Sequence, residues 1–61
     1  MPLVEISLLP GRSDEQKLAM ARAISDALVE IGKATPESVD VVYREVAPTD
    51  WFKVDQLRRD A

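Results

Sequence analysis

Cysteine and histidine are both absent from this 61-residue sequence. Without cysteine no disulfide can staple the fold. Without either residue, the thiolate and imidazole sites that hold zinc cannot be built. No run of Asp and Glu has the loop spacing of a magnesium or calcium site, so no metal is expected. Apolar runs extend only a few residues, too short to cross a bilayer. No charged stretch followed by an apolar core marks a secretory signal, which makes the cytoplasm the default location. An excess of positive charge is also missing: eight basic side chains face 11 acidic ones, for a net charge of −3. That mixed, mildly acidic balance lacks the electrostatic footprint of a nucleic-acid binder.

The chain also has little length. Sixty-one residues allow one domain at most, taken as residues 1–61. A domain this small buries only about 60% of its unfolded surface and is marginal alone. The 46% apolar content nevertheless argues against disorder. With disulfides and metals excluded, self-association is the remaining route to stability.

What is present begins with Met1-Pro2. A small second residue permits removal of the initiator methionine, which would leave Pro2 with a free secondary amine. A chain without His or Cys has few groups that move protons near neutral pH. A terminal amine, with a reference pKa of about 8, is one of them. A retained Met1 would make the same nitrogen an amide.

Residues 3–9 read as a strand, with Pro2, Val4, Ile6 and Leu8 on an apolar face suited to a helix. Leu3, Glu5, Ser7 and Leu9 form a mixed opposite face, either solvated or covered by another subunit. Pro10-Gly11 ends the strand as a turn. Ser13-Asp14-Glu15-Gln16 is a capping box that starts a helix. The helix is expected to reach about Ile31, with Gly32 at C′. Met20, Ala21, Ile24, Ala27, Leu28 and Ile31 make its apolar stripe; Leu18 and Val29 fall off it. Thr35-Pro36-Glu37-Ser38 suggests a short helical or type I turn.

A second strand is expected over Val39–Val46, rich in β-branched residues. Its Val41-Val42 pair suggests burial on both faces, and Pro48 stops it. In the tail, Trp51 and Phe52 are adjacent, and Val54 and Leu57 are spaced for a helical turn. The predicted subunit is therefore strand–helix–strand, an α/β (α+β) fold with a two-stranded parallel sheet, because about thirty residues with a helix suit a parallel crossover. Two strands do not make a stable sheet alone. Two copies joined edge to edge would give a four-stranded layer with both helices on one side.

Met1-Pro2 before a strand, followed by Gly11-Arg12-Ser13-Asp14-Glu15-Gln16-Lys17, resembles the 4-oxalocrotonate tautomerase family of the tautomerase superfamily. The likeness continues through the helix into Ser38-Val39 and Glu45-Val46-Ala47, covering about residues 2 to 51. It implies an enzyme that needs no cofactor and moves a proton in a 2-oxo acid or its enol. By the same resemblance Pro2 is the catalytic base, Arg12 holds the substrate carboxylate, and Trp51 lines the site and keeps the amine dehydrated. A guanidinium suits a carboxylate through bidentate bonding and also stabilises an adjacent enolate. A nearby cation and desolvation both favour the neutral, basic form of an amine. Purely structural roles for these residues are an ion pair of Arg12 at the helix start and packing of Trp51.

Two departures from the family pattern matter. Asp40 stands where the family carries a second active-site arginine, and a carboxylate there repels a dianion. A monocarboxylate substrate is therefore expected rather than 4-oxalocrotonate. Asp40 also opens an alternative: with Pro2 and Arg12 it resembles sets that activate water in hydratases, haloacrylate dehalogenases or 3-oxo acid decarboxylases. A solvated carboxylate at the strand end is the structural reading of Asp40. Arg44, about 13 Å further along the strand, is a poor replacement for the missing arginine and is expected to pair with Glu5. The second departure is the tail, which has no glycine where hexameric members carry a glycine-rich hairpin. A trimer of dimers is still expected, with a dimer as the alternative. A non-catalytic assembly module is the rival of another class.

Overall fold

The computed structural model describes the backbone of residues 2–60 and the side chains of residues 2–58. Its elements are β1 (Leu3–Leu8), α1 (Asp14–Glu30), a 3-10 turn (Pro36–Ser38), β2 (Asp40–Glu45), a second 3-10 turn (Pro48–Asp50) and α2 (Val54–Asp60). The strands pair in parallel, with Leu3 opposite Asp40 and Leu8 opposite Glu45. The predicted βαβ order and two-stranded parallel sheet are thus present. Met1, on whose removal a free Pro2 amine depends, lies outside the described residues.

Local chemistry accounts for the start of α1. The Ser13 side chain accepts from the Gln16 amide at 3.2 Å, while the Gln16 side chain accepts from the Ser13 amide at 2.9 Å. These two bonds satisfy donors that a helix start leaves unpaired, and Asp14 and Glu15 complement the helix dipole. At the end of α1, Ile31 is the C-cap and Gly32 takes the C′ position as expected, but the left-handed residue is the next one. Lys33, not Gly32, takes the left-handed conformation, with φ 60°. Gly32 is needed for close approach instead: a Cβ there would lie 2.7 Å from the Leu28 carbonyl oxygen.

The predicted inward face of β1 is correct. Val4 and Ile6 are half-buried and Leu8 is 8% exposed, while Leu3, Glu5 and Ser7 are open. Leu9 falls outside the strand and is exposed. On α1, Met20, Ala21, Ile24 and Leu28 are half-buried, as expected, and Val29 joins them. Ala27 and Ile31 do not; Ile31 is 82% exposed. Seventeen helical residues span about 25 Å, whereas six strand residues span about 20 Å. Ile31, the C-cap residue of α1, therefore lies past the sheet and stays exposed.

Val42 corrects another expectation. It points to the open sheet face and stays exposed, because a single chain puts a helix over only one side. Among the described residues Leu8 alone is buried, so one copy has almost no core. A Glu5–Arg44 pair at 3.9 Å bridges the open face, as anticipated.

Candidate active site

Pro2 and Asp40 meet at one end of the sheet. The Asp40 amide donates to the Pro2 carbonyl at 3.0 Å, extending the parallel ladder by one bond beyond the start of β1. The register puts Asp40 opposite Leu3, so its side chain belongs to the open face. Pro2 is half-buried.

Arg12 and Trp51 belong to the opposite end. β1 carries the chain about 20 Å away from Pro2 before the turn that holds Arg12. The start of α1 is pinned at that far end by Lys17, whose ammonium bonds the Glu45 carboxylate at 2.6 Å. The Tyr43 hydroxyl donates to the Lys17 carbonyl at 2.9 Å, a second tie between α1 and β2. The Glu45 carboxylate raises the Lys17 pKa above its ordinary value, chiefly through that hydrogen bond. β2 ends at the same place, where the Val46 amide donates to the Leu8 carbonyl at 2.9 Å. The chain then turns through Pro48–Asp50 into Trp51.

The four expected site residues therefore do not meet within one subunit: Pro2 and Asp40 share one end of the sheet, while Arg12 follows β1 and Trp51 follows β2 at the other end. Arg12 is exposed. Trp51 is 39% exposed and lines a cleft of about 170 Å³ with Phe52, Lys53, Gln56 and Leu57. The sequence reading did not single out Lys17, Tyr43 and Glu45, which hold the Arg12 end in place. Glu45 and Tyr43 share β2's inward parity with Val41, and that is the one signal that marks them. Among the described residues no group of three or more carboxylates is placed to hold a metal ion. No described helix is long and apolar enough to cross a membrane.

A family model described as "Tautomerase enzyme" matches residues 2–59. The chain belongs to the tautomerase family. It is accordingly an isomerase, an enzyme that relocates a proton within one substrate. This tautomerase is 44% identical over 46 residues to a probable tautomerase of Halalkalibacterium halodurans, covering 75% of each chain. Among solved structures it is similar to TomN, a 4-oxalocrotonate tautomerase homologue in the tomaymycin biosynthetic pathway. There the TM-score is 0.81 and identity 32%, over 98% of this chain and 97% of that one. It is also similar to a chain of the heterohexameric 4-oxalocrotonate tautomerase of Chloroflexus aurantiacus, with TM-score 0.77 and 41% identity over 84% and 82% of the two chains.

Proposed function

We propose that this tautomerase, a single domain over residues 1–61, ketonises the enol of a small monocarboxylic 2-oxo acid at a site shared between two copies. The observation that carries this reading is the separation of Pro2 from Arg12 by the length of β1. A two-fold axis beside the sheet reverses the partner's strands. It brings the Pro2 end of one copy toward the partner's Arg12 and Trp51. The same edge-to-edge pairing gives a four-stranded layer, which removes two exposed strand edges. The open face with Leu3 and Val42 still needs cover, which favours three such dimers packed together. The heterohexameric relative makes that arrangement a natural expectation.

In the proposed reaction the Pro2 nitrogen, freed by loss of Met1, takes the proton from the enol oxygen. The protonated amine then delivers a proton to the neighbouring carbon, so the enol becomes the ketone with no net gain or loss. The partner's Arg12 holds the carboxylate and stabilises the negative charge that develops beside it. Trp51 supplies an apolar wall, and desolvation favours the neutral amine that a base requires. Asp40 stands, by the resemblance, where a second arginine would bind the far end of a dicarboxylate, and its carboxylate disfavours a second negative charge there.

The test is intact mass followed by an assay with phenylenolpyruvate on the same sample. A mass lacking Met1, with ketonisation that collapses in Pro2→Ala, supports the reading. A processed chain that fails to ketonise overturns it. The backbone bond that holds Asp40 beside Pro2 leaves one second reading, in which the Asp40 carboxylate activates water for hydration, haloacrylate dehalogenation or 3-oxo acid decarboxylation. That reading requires turnover of such substrates that Asp40→Asn abolishes.

A further inference from the structure

The loop that carries Arg12 has no hold of its own. Residues 9–12 join Leu8, the last residue of β1, to the cap residue Ser13. Among the described residues, none of these four makes a hydrogen bond, and Arg12 has no ion pair. Gly11 has φ 132° and open space where a side chain would stand, a conformation that favours glycine and lets the backbone pivot there. No described residue of α1 is fully buried, so apolar packing does not lock the start of the helix either.

What fixes the loop lies on either side of it. Before it, the Leu8 carbonyl accepts from the Val46 amide at 2.9 Å. After it comes Lys17, the fourth residue of α1, whose ammonium bonds the Glu45 carboxylate at 2.6 Å and whose carbonyl accepts from the Tyr43 hydroxyl at 2.9 Å. Glu45 and Val46 are consecutive, so both anchors of the loop land on the same end of β2. The Lys17–Glu45 pair is also the better shielded of two ion pairs. Its side chains are 22% and 42% exposed, against 66% and 53% for Arg44 and Glu5 at 3.9 Å, and screening by solvent weakens open pairs most. The capping box cannot replace this tie, because it binds α1 to its own first turn and not to β2.

We propose that Lys17 and Glu45 are positioning residues for the tautomerase reaction: their ion pair holds the Arg12 loop where the guanidinium meets the substrate carboxylate. This rests on the proposed role of Arg12 and adds the residues on which that role depends. Without the tie the loop pivots at Gly11, and Arg12 spends less of its time in reach of the substrate. The carboxylate is held before as well as during proton transfer, so the loss falls on KM more than on kcat.

Steady-state ketonisation of phenylenolpyruvate by full-length chains lacking Met1 tests this. The variants are Lys17→Met, Glu45→Gln, Lys17→Arg, Arg12→Ala, and each of the first two combined with Arg12→Ala. Methionine keeps the aliphatic stem of Lys17 and removes its charge. Lys17→Met and Glu45→Gln should each raise KM by about 5-fold or more, with a smaller change in kcat. Lys17→Arg keeps the ion pair and should stay near wild type. In the Arg12→Ala background the first two changes should have no further effect on KM, because no guanidinium is left to position. Loss of stability alone does not produce that dependence on Arg12. A wild-type KM in both Lys17→Met and Glu45→Gln, or losses that multiply with that of Arg12→Ala, overturns the positioning role and leaves the proposed function standing. A wild-type KM in Arg12→Ala, or a processed wild type that does not ketonise, overturns the proposed role of Arg12 and this inference with it.

Discussion

If Pro2 and Arg12 act across two copies, two dead chains should make a live enzyme. The perturbation is a pair of variants. One carries a non-removable N-terminal extension, so that its Pro2 nitrogen is an amide. The other carries Arg12→Ala. The first has no base. The second loses a bidentate, charge-assisted contact worth roughly 1.5–3 kcal/mol, a 10- to 150-fold drop in kcat/KM. Refolded together in equal amounts, the chains distribute at random among sites. A site is intact only when its Pro2 comes from the Arg12→Ala chain and its Arg12 from the extended chain. With independent draws that is about one quarter of all sites in a symmetric assembly. Phenylenolpyruvate ketonisation of the mixture should therefore approach a quarter of the wild-type rate, well above either parent. The prediction follows from β1, whose six residues separate the two groups by about 20 Å, farther than an arginine side chain extends. A mixture no more active than the average of its parents would refute the shared site.

Three further outcomes follow from the scaffold. The Lys17–Glu45 contact should stabilise the fold up to the ordinary lysine range and fade above it. The Lys17 pKa is raised in the folded state from 10.5, so the contribution is fully present below the unfolded value and is lost as pH rises through the folded one. Urea midpoints of wild type and Glu45→Gln should differ at pH 8 and converge at the alkaline end. Gly32→Ala should destabilise by about 1–3 kcal/mol, because the new Cβ meets a backbone carbonyl rather than a movable side chain; thermal unfolding at fixed protein concentration reads it. Ser13→Ala should lose about 1 kcal/mol of stability through the cap while leaving KM for phenylenolpyruvate within about two-fold, a split that steady-state kinetics beside urea unfolding will show.

Local rules made much of the subunit legible. Ser13 and Gln16 bond each other reciprocally because side chains three residues apart are neighbours at any helix start. The alternation of Val4, Ile6 and Leu8 predicted the covered face of β1 because strand side chains alternate regardless of what covers them. The same local rules misjudged Ile31 and Val42. Ile31 belongs to a good helical stripe, yet the helix outruns the strands. Val42 has the side chain of a buried strand, yet one copy leaves its face open. Both errors concern what lies opposite a residue, which periodicity does not encode.

The amino-acid sequence by itself determined the βαβ order, the capped helix and the residue types available for proton transfer, since these depend on neighbours within a few positions. The absence of His and Cys left the Pro2 nitrogen and a few charged side chains as the chemical inventory. Only the tertiary structure decided that Pro2 meets Asp40 at one end of the sheet while Arg12 follows the other end. That division is set by the parallel register of β1 with β2 and by the Lys17–Glu45 tie, contacts between residues 28 or more positions apart. Separation along a chain says nothing about separation in space until the strands are paired.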